Sequence, residues 1–163
     1  MNFLEQLAAE WYEYKGYFVR TNIKFGPCAR GGYIGEIDVA AYNPTTRELT
    51  HIETSTDAYS RGEREKRFRK KFSDAKRHYL EIFPFKGEFK QVAILGFSDR
   101  VHTLNFGEDI VIRSIPEFIN EINIKLGKIN PAKKAIPESY PLLRAIQHSA
   151  FYCVRVSGKK FES

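Results

Sequence analysis

Apolar residues recur along this chain with two distinct periods. Between residues 2 and 15, Phe3, Leu4, Leu7, Ala8, Trp11 and Tyr14 share one broad face at about 100° per residue. That spacing predicts an amphipathic helix, closed by Gly16. "YFVRTNI" is rich in aromatic and β-branched residues and predicts a strand. "GPCARGG" follows it, and three glycines with a proline predict a loop. From Tyr33 to Tyr42 the period falls to two: Ile37, Val39 and Ala41 alternate with Glu36, Asp38 and Ala40. "NPTT" predicts a turn. Leu49 to Ser55 reads as the next strand, with Ile52 on one face and His51, Glu53 and Ser55 on the other. The short connection favours an antiparallel hairpin.

The helical period returns from Ser60 to Phe83. Phe68, Phe72, Ala75, Tyr79 and Phe83 form its buried stripe, and Arg61 and Arg64 project onto the same side before the stripe begins. Gln91 to Phe97 and Ile110 to Arg113 are short apolar runs that predict buried strands. Ser114 is placed as an N-cap and Glu117 completes a capping box, with Gly127 as the stop. A linker carrying Pro131, Pro137 and Pro141 precedes a last helix, on which Leu142, Leu143, Ile146, Ala150 and Cys153 share a face. This order predicts an α/β domain with a mixed central sheet flanked by helices. It divides into a core over residues 1–127 and an appended linker and C-terminal helix over 128–163. The apolar face of that last helix needs cover, from the core or from a second subunit. A homodimer or a place in a larger complex is compatible with it.

Composition narrows the class. No apolar run approaches the roughly 20 residues that span a bilayer, and "MNFLEQLAAEW" has no basic start followed by an apolar core. The expected location is cytoplasmic. The 2 cysteines, Cys28 and Cys153, lack CxxC spacing and fit a reducing compartment. His51, His78, His102 and His148 lack zinc-ligand spacing and read as surface or internally satisfied residues. Charge is more informative. The net +6 is carried by one segment, Arg61 to Arg77, which holds nine basic residues against three acids. A concentrated basic stripe is the footprint expected for a polyanion such as DNA, contacted through Arg61, Arg64, Lys66, Arg67, Arg69, Lys70 and Lys71. A merely solvated helix face is the alternative. Neither a zinc finger nor a helix-turn-helix is visible, so phosphate contact without base reading is expected.

Asp38 and Glu53 fall on adjacent strands of the predicted hairpin. Two carboxylates on one side of a sheet repel unless a positive charge lies between them. Mg²⁺ or Mn²⁺ meets that need with oxygen ligands, and the backbone carbonyl of Thr54 is a further donor. The alternative is two solvated acids on the wet face of an antiparallel sheet.

The set "LEQLAAEWYEYKGYFV", "GEIDVAAYN" and "LTHIETS" resembles the core of the PD-(D/E)XK nuclease superfamily, in its resolvase-like and restriction-endonuclease-like branch. The resemblance runs from Phe3 to about Phe83. It implies a restriction-endonuclease-like αβββαβ core and a metal-dependent DNA endonuclease that hydrolyses phosphodiester bonds. It also implies that Glu5, Asp38 and Glu53 hold Mg²⁺ or Mn²⁺. The family's lysine, two residues after the second acid, is here Ser55, which carries no charge. Three explanations follow: Arg61 or Arg64 supplies the cation, the metal alone activates water with Ser55 orienting it, or catalysis has been lost. The last would leave a nuclease-fold DNA-binding or accessory subunit of a restriction, repair or mobile-element system. An RNA-directed nuclease with the same site is a further alternative.

Overall fold

The computed structural model describes residues 2–84, 87–97 and 99–157. Among the described residues, four helices and a five-stranded mixed sheet make an α/β fold, in the order α1 (Phe3–Tyr14), β1 (Phe18–Pro27), β2 (Tyr33–Asn43), β3 (Glu48–Ser55), α2 (Arg61–Ile82), β4 (Glu88–Leu95), β5 (Ile110–Ser114), α3 (Ile115–Leu126) and α4 (Pro141–Ser157), with a 3-10 turn at Asp99–Thr103. The strands lie side by side in sequence order. β1, β2 and β3 pair antiparallel; β3, β4 and β5 pair parallel. α2 makes the crossover between β3 and β4, as a parallel connection requires.

Each element has a local cause. Asn2 caps α1, accepting from the amides of Leu4 and Glu5, while the Glu5 carboxylate accepts from the Asn2 amide at 3.0 Å and closes a capping box. Asn43 makes the tight β2–β3 turn by accepting from the Thr45 and Thr46 amides. In α2 the expected stripe is the observed one: Phe68, Phe72, Ala75, Tyr79 and Phe83 are all buried. Tyr79 and Phe83 pack with Ala40 and Leu49 of β2 and β3, whereas Phe68 and Phe72 pack with Ala93 and Leu95 of β4. The other face of the two central strands, Val39, Ala41 and Ile52, is also buried, and α1 lies across β1, β2 and β3.

Three expectations shift. The loop expected at "GPCARGG" starts later, because Gly26 and Pro27 belong to β1, with Pro27 opposite Tyr33. β1 is an edge strand, where a missing amide costs the ladder nothing, and Gly26 takes φ +63 where an added Cβ would strike Ile34. β4 runs from Glu88 rather than Gln91 and stops at Leu95, because Gly96 turns the chain at φ +66. In α4 the buried line is Leu143, Gln147 and Phe151, and Cys153 is exposed. Gln147 can be buried because all its polar atoms are paired: its carbonyl accepts from the Ile136 amide, and its Nε2 donates to the Ile129 and Lys134 carbonyls.

The chain divides into two compact units, Met1–Ile115 and Pro116–Ser163. Ile115, the first residue of α3, closes the first unit, and the second unit holds the rest of α3 together with α4. Among the described residues no helix is long and apolar enough to cross a membrane.

Candidate active site

β2 and β3 pair with Val39 opposite Ile52 and Ala40 opposite His51. One further step in that register sets Asp38 opposite Glu53, so both side chains leave the same face, the one α2 covers. Both are buried, Glu53 with 0% exposure. The charge between them belongs to α2. Lys71 Nζ donates to Asp38 Oδ1 at 3.2 Å and to Glu53 Oε2 in a shorter contact. Its side chain is 40% exposed, so the ammonium closes the site from the solvent side.

The remaining carboxylate oxygens are also engaged. Asp38 Oδ2 accepts from the Thr54 amide at 2.8 Å. Glu53 Oε1 accepts from His51 Nε2 at 2.7 Å, and His51 Nδ1 lies 2.6 Å from the Tyr79 hydroxyl. Gln91 Nε2 donates to that hydroxyl at 2.7 Å and to the Phe72 carbonyl at 3.1 Å. The donors run in one direction. Gln91 occupies the acceptor side of the Tyr79 oxygen, so the phenol proton goes to His51 Nδ1, and a neutral imidazole then carries its proton on Nε2, facing Glu53. This buried chain joins β4, α2 and β3 behind the acids, and it answers the sequence expectation of a satisfied histidine.

The electrostatics differ between the two acids. Burial pushes the Asp38 carboxyl up to about 7, reinforced by the charge of Glu53 and opposed by Lys71 and the Thr54 amide. Burial also works against Glu53, yet the hydrogen bond from His51 and the charge of Lys71 hold its carboxyl below the usual range. For Lys71 burial is likewise the opposing effect, and the two acids outweigh it to favour the charged ammonium. Burial pushes the Tyr79 phenol well up, which keeps it a hydrogen-bond donor.

The other candidates have partners of their own, and of these Thr54 touches the acids. Glu5 is held in the α1 capping box, and among the described residues no three His, Cys, Asp or Glu side chains form a metal-ligand group. Thr54 gives its amide to Asp38. Ser55 exchanges hydrogen bonds with Asp57: its hydroxyl donates to Oδ2 and accepts from the amide. Arg61 donates to the Thr103 carbonyl and pairs with Glu65, and Arg64 donates to the Asp57 carbonyl at 2.7 Å. The cation that reaches the acids is therefore Lys71, read from sequence only as part of the basic stripe. Its signal was present: it stands three residues after Phe68 and four before Ala75, on the flank of the buried stripe, where a lysine needs an acid partner. The buried tyrosine of the same stripe likewise called for a polar partner.

The basic helix divides by use. Arg69 donates to the Asn105 carbonyl at 2.8 Å. Lys70 and Arg77 both pair with Asp74, and the Arg67 guanidinium lies 4.3 Å from the centre of the Tyr59 ring. Lys66 and Lys76 are exposed. A cleft of about 390 Å³ opens at the acids, with Gly35, Asp38, Arg67, Lys70 and Lys71 in its walls. No protein-family model matches the chain, and no curated protein matches it.

Proposed function

We propose that the protein is a divalent-cation-dependent DNA endonuclease with a restriction-endonuclease-like αβββαβ core, in which Lys71 takes the place of the lysine that Ser55 lacks. The convergence of Lys71 Nζ on both Asp38 and Glu53 carries this reading. It supplies the positive charge the resemblance expected, from the next helix instead of the same strand.

The donor set fits a hard cation: two opposed carboxylates that offer only oxygen, one held ionised and one with its carboxyl raised to about 7 by burial and by the charge of its neighbour. Asp38 and Glu53 would hold Mg²⁺ or Mn²⁺, with the Thr54 carbonyl beside them. A bound cation there would acidify a water and offset charge on the scissile phosphate. The chain's own residues do the rest. His51 fixes the rotamer of Glu53, and the Thr54 amide fixes that of Asp38. Lys71, kept protonated by its neighbours, is no base; it donates to a non-bridging phosphate oxygen and stabilises the charge that builds there. Arg67 and Lys70, in the wall of the same cleft, hold the flanking backbone.

A catalytically inactive DNA-binding subunit is the second reading. One observation favours it: every oxygen of the acid pair already has a protein donor, so Lys71 balances the site without a metal. Cleavage of supercoiled plasmid and branched DNA with Mg²⁺ and Mn²⁺ decides between them. A nuclease loses cutting in Asp38→Asn and Lys71→Met, by about a hundredfold or more. Salt-sensitive binding with no cutting in either metal supports the inactive subunit.

A further inference from the structure

We propose that a second cavity, at the carboxyl ends of β3 and β4, is a nucleotide pocket that takes one phosphate and its base from a strand passing the acid site. The strand as ligand rests on the nucleic-acid reading above. The pocket's binding chemistry requires neither a cation nor cleavage.

The cavity measures about 530 Å³, within the range of small-ligand sites. It lies where the parallel strands β3 and β4 end and the chain turns into α2. One part of its wall is cationic. Arg61, Arg64 and Arg100 line it, against a single acidic lining residue, Asp57. Arg64 Nε is buried, with no hydrogen-bond partner in the protein. Arg61 and Arg64 come from the first turns of α2, and Arg100 from the 3-10 turn.

The remaining wall is apolar. Phe97 stands 68% exposed, with Val101 and Leu104 buried at the base. Gly96 makes the turn that presents Phe97. It takes φ +66, and an added Cβ would come within 2.5 Å of Val101 Cγ1. An aromatic face beside a guanidinium cluster suits a base on one part and a phosphate on the other. Inorganic phosphate would leave Phe97 without a partner.

Continuity ties the pocket to the acids. A small cavity beside it shares Asp57 and Arg64 with the pocket, and shares Arg67 and Lys71 with the cleft at Asp38. Shared lining residues therefore run from Asp38 and Lys71 through Arg67 and Arg64 to the pocket that Phe97 walls.

The test uses the full chain in EDTA, titrated calorimetrically with the 5′-phosphorylated dinucleotide pdTpdT, with inorganic phosphate and unphosphorylated dTpdT as controls. The dinucleotide is expected to bind more tightly than either control. Phe97→Ala and Arg100→Ala are each expected to weaken it by about tenfold, the scale of one lost stacking contact. Both positions are exposed, and circular dichroism and Tm would confirm that the variants fold. Equal binding of phosphate and dinucleotide, or affinity unchanged in both variants, or no binding at millimolar ligand, would overturn the pocket. Plasmid cleavage is scored separately. Dinucleotide binding without cleavage supports the pocket and removes the nuclease reading; cleavage without dinucleotide binding does the reverse.

Discussion

Three side chains, Asp38, Glu53 and Lys71, set the behaviour of the site, and their ionisation gives it a pH signature. Asp38 has its carboxyl raised from the ordinary 3.8 to about 7 by burial and by Glu53. The folded state therefore binds more protons than the unfolded chain between those values, so this residue's contribution to stability falls as pH rises through that interval. Glu53 moves the opposite way, and its contribution is lost only as pH falls below its ordinary value of 4.5. Asp38→Asn removes the penalty. It is expected to raise stability at pH 8 by roughly 1–3 kcal/mol and by much less at pH 5, read from urea unfolding at the two pH values. A cation ligated by both acids acts like the proton it replaces. Mg²⁺ should raise the wild-type Tm at pH 8, and Asp38→Asn should abolish the shift; no shift in the wild type at tens of millimolar Mg²⁺ would remove the metal from the site. Lys71→Met leaves two carboxylates facing each other, at a cost of about 1–3 kcal/mol for a partly exposed partner, and Mg²⁺ should restore part of that loss.

At the scale of elements, α2 performs two tasks with two faces. Its apolar stripe holds the sheet, and its flank delivers Lys71. Phe72 is 1% exposed and its ring packs 5.0 Å from His51, directly behind the acids. Phe72→Ala is expected to cost about 3–5 kcal/mol in thermal or denaturant unfolding. The arginines of α2 are less uniform than their sequence suggests. Arg61 and Arg69 tie the helix to the carbonyls of Thr103 and Asn105, while the Asn105 amide donates to Glu65. Together these fasten the loop that follows the 3-10 turn. Arg69→Ala should therefore lower Tm, which a purely phosphate-contacting residue would not do.

For the whole molecule, the basic charge is asymmetric: one segment of α2, Arg61 to Arg77, carries the entire net excess of +6. If the cleft beside it takes DNA, binding must release counterions, and log K should fall linearly with log salt. Lys66→Ala and Lys76→Ala should each reduce that slope by about 1 and leave Tm unchanged, since both side chains are exposed. A slope unaltered by either would place the DNA elsewhere. The second unit, Pro116–Ser163, has its own buried line along α4 and carries none of the site residues.

Periodicity is a local property, and it determined the local structure. The 3.6-residue stripe of α2, the two-residue alternation of β2 and β3 and the turn at Asn43 follow from side-chain spacing, so each element was legible before any contact was known. The same-face placement of Asp38 and Glu53 was legible for the same reason, because hairpin register fixes which residues oppose. What filled the space between them was not. Lys71 lies 18 residues beyond Glu53, and only the crossover of α2 over the sheet brings its ammonium to both acids. Nor did sequence distinguish the arginines that hold loop carbonyls from the lysines left to solvent, since identical charges differ only in what the fold sets beside them. The chain of Gln91, Tyr79, His51 and Glu53 joins three elements and exists only after they pack. Spacing along the chain assigned the elements and their faces, and the closing of one face upon another decided which of those faces became a site.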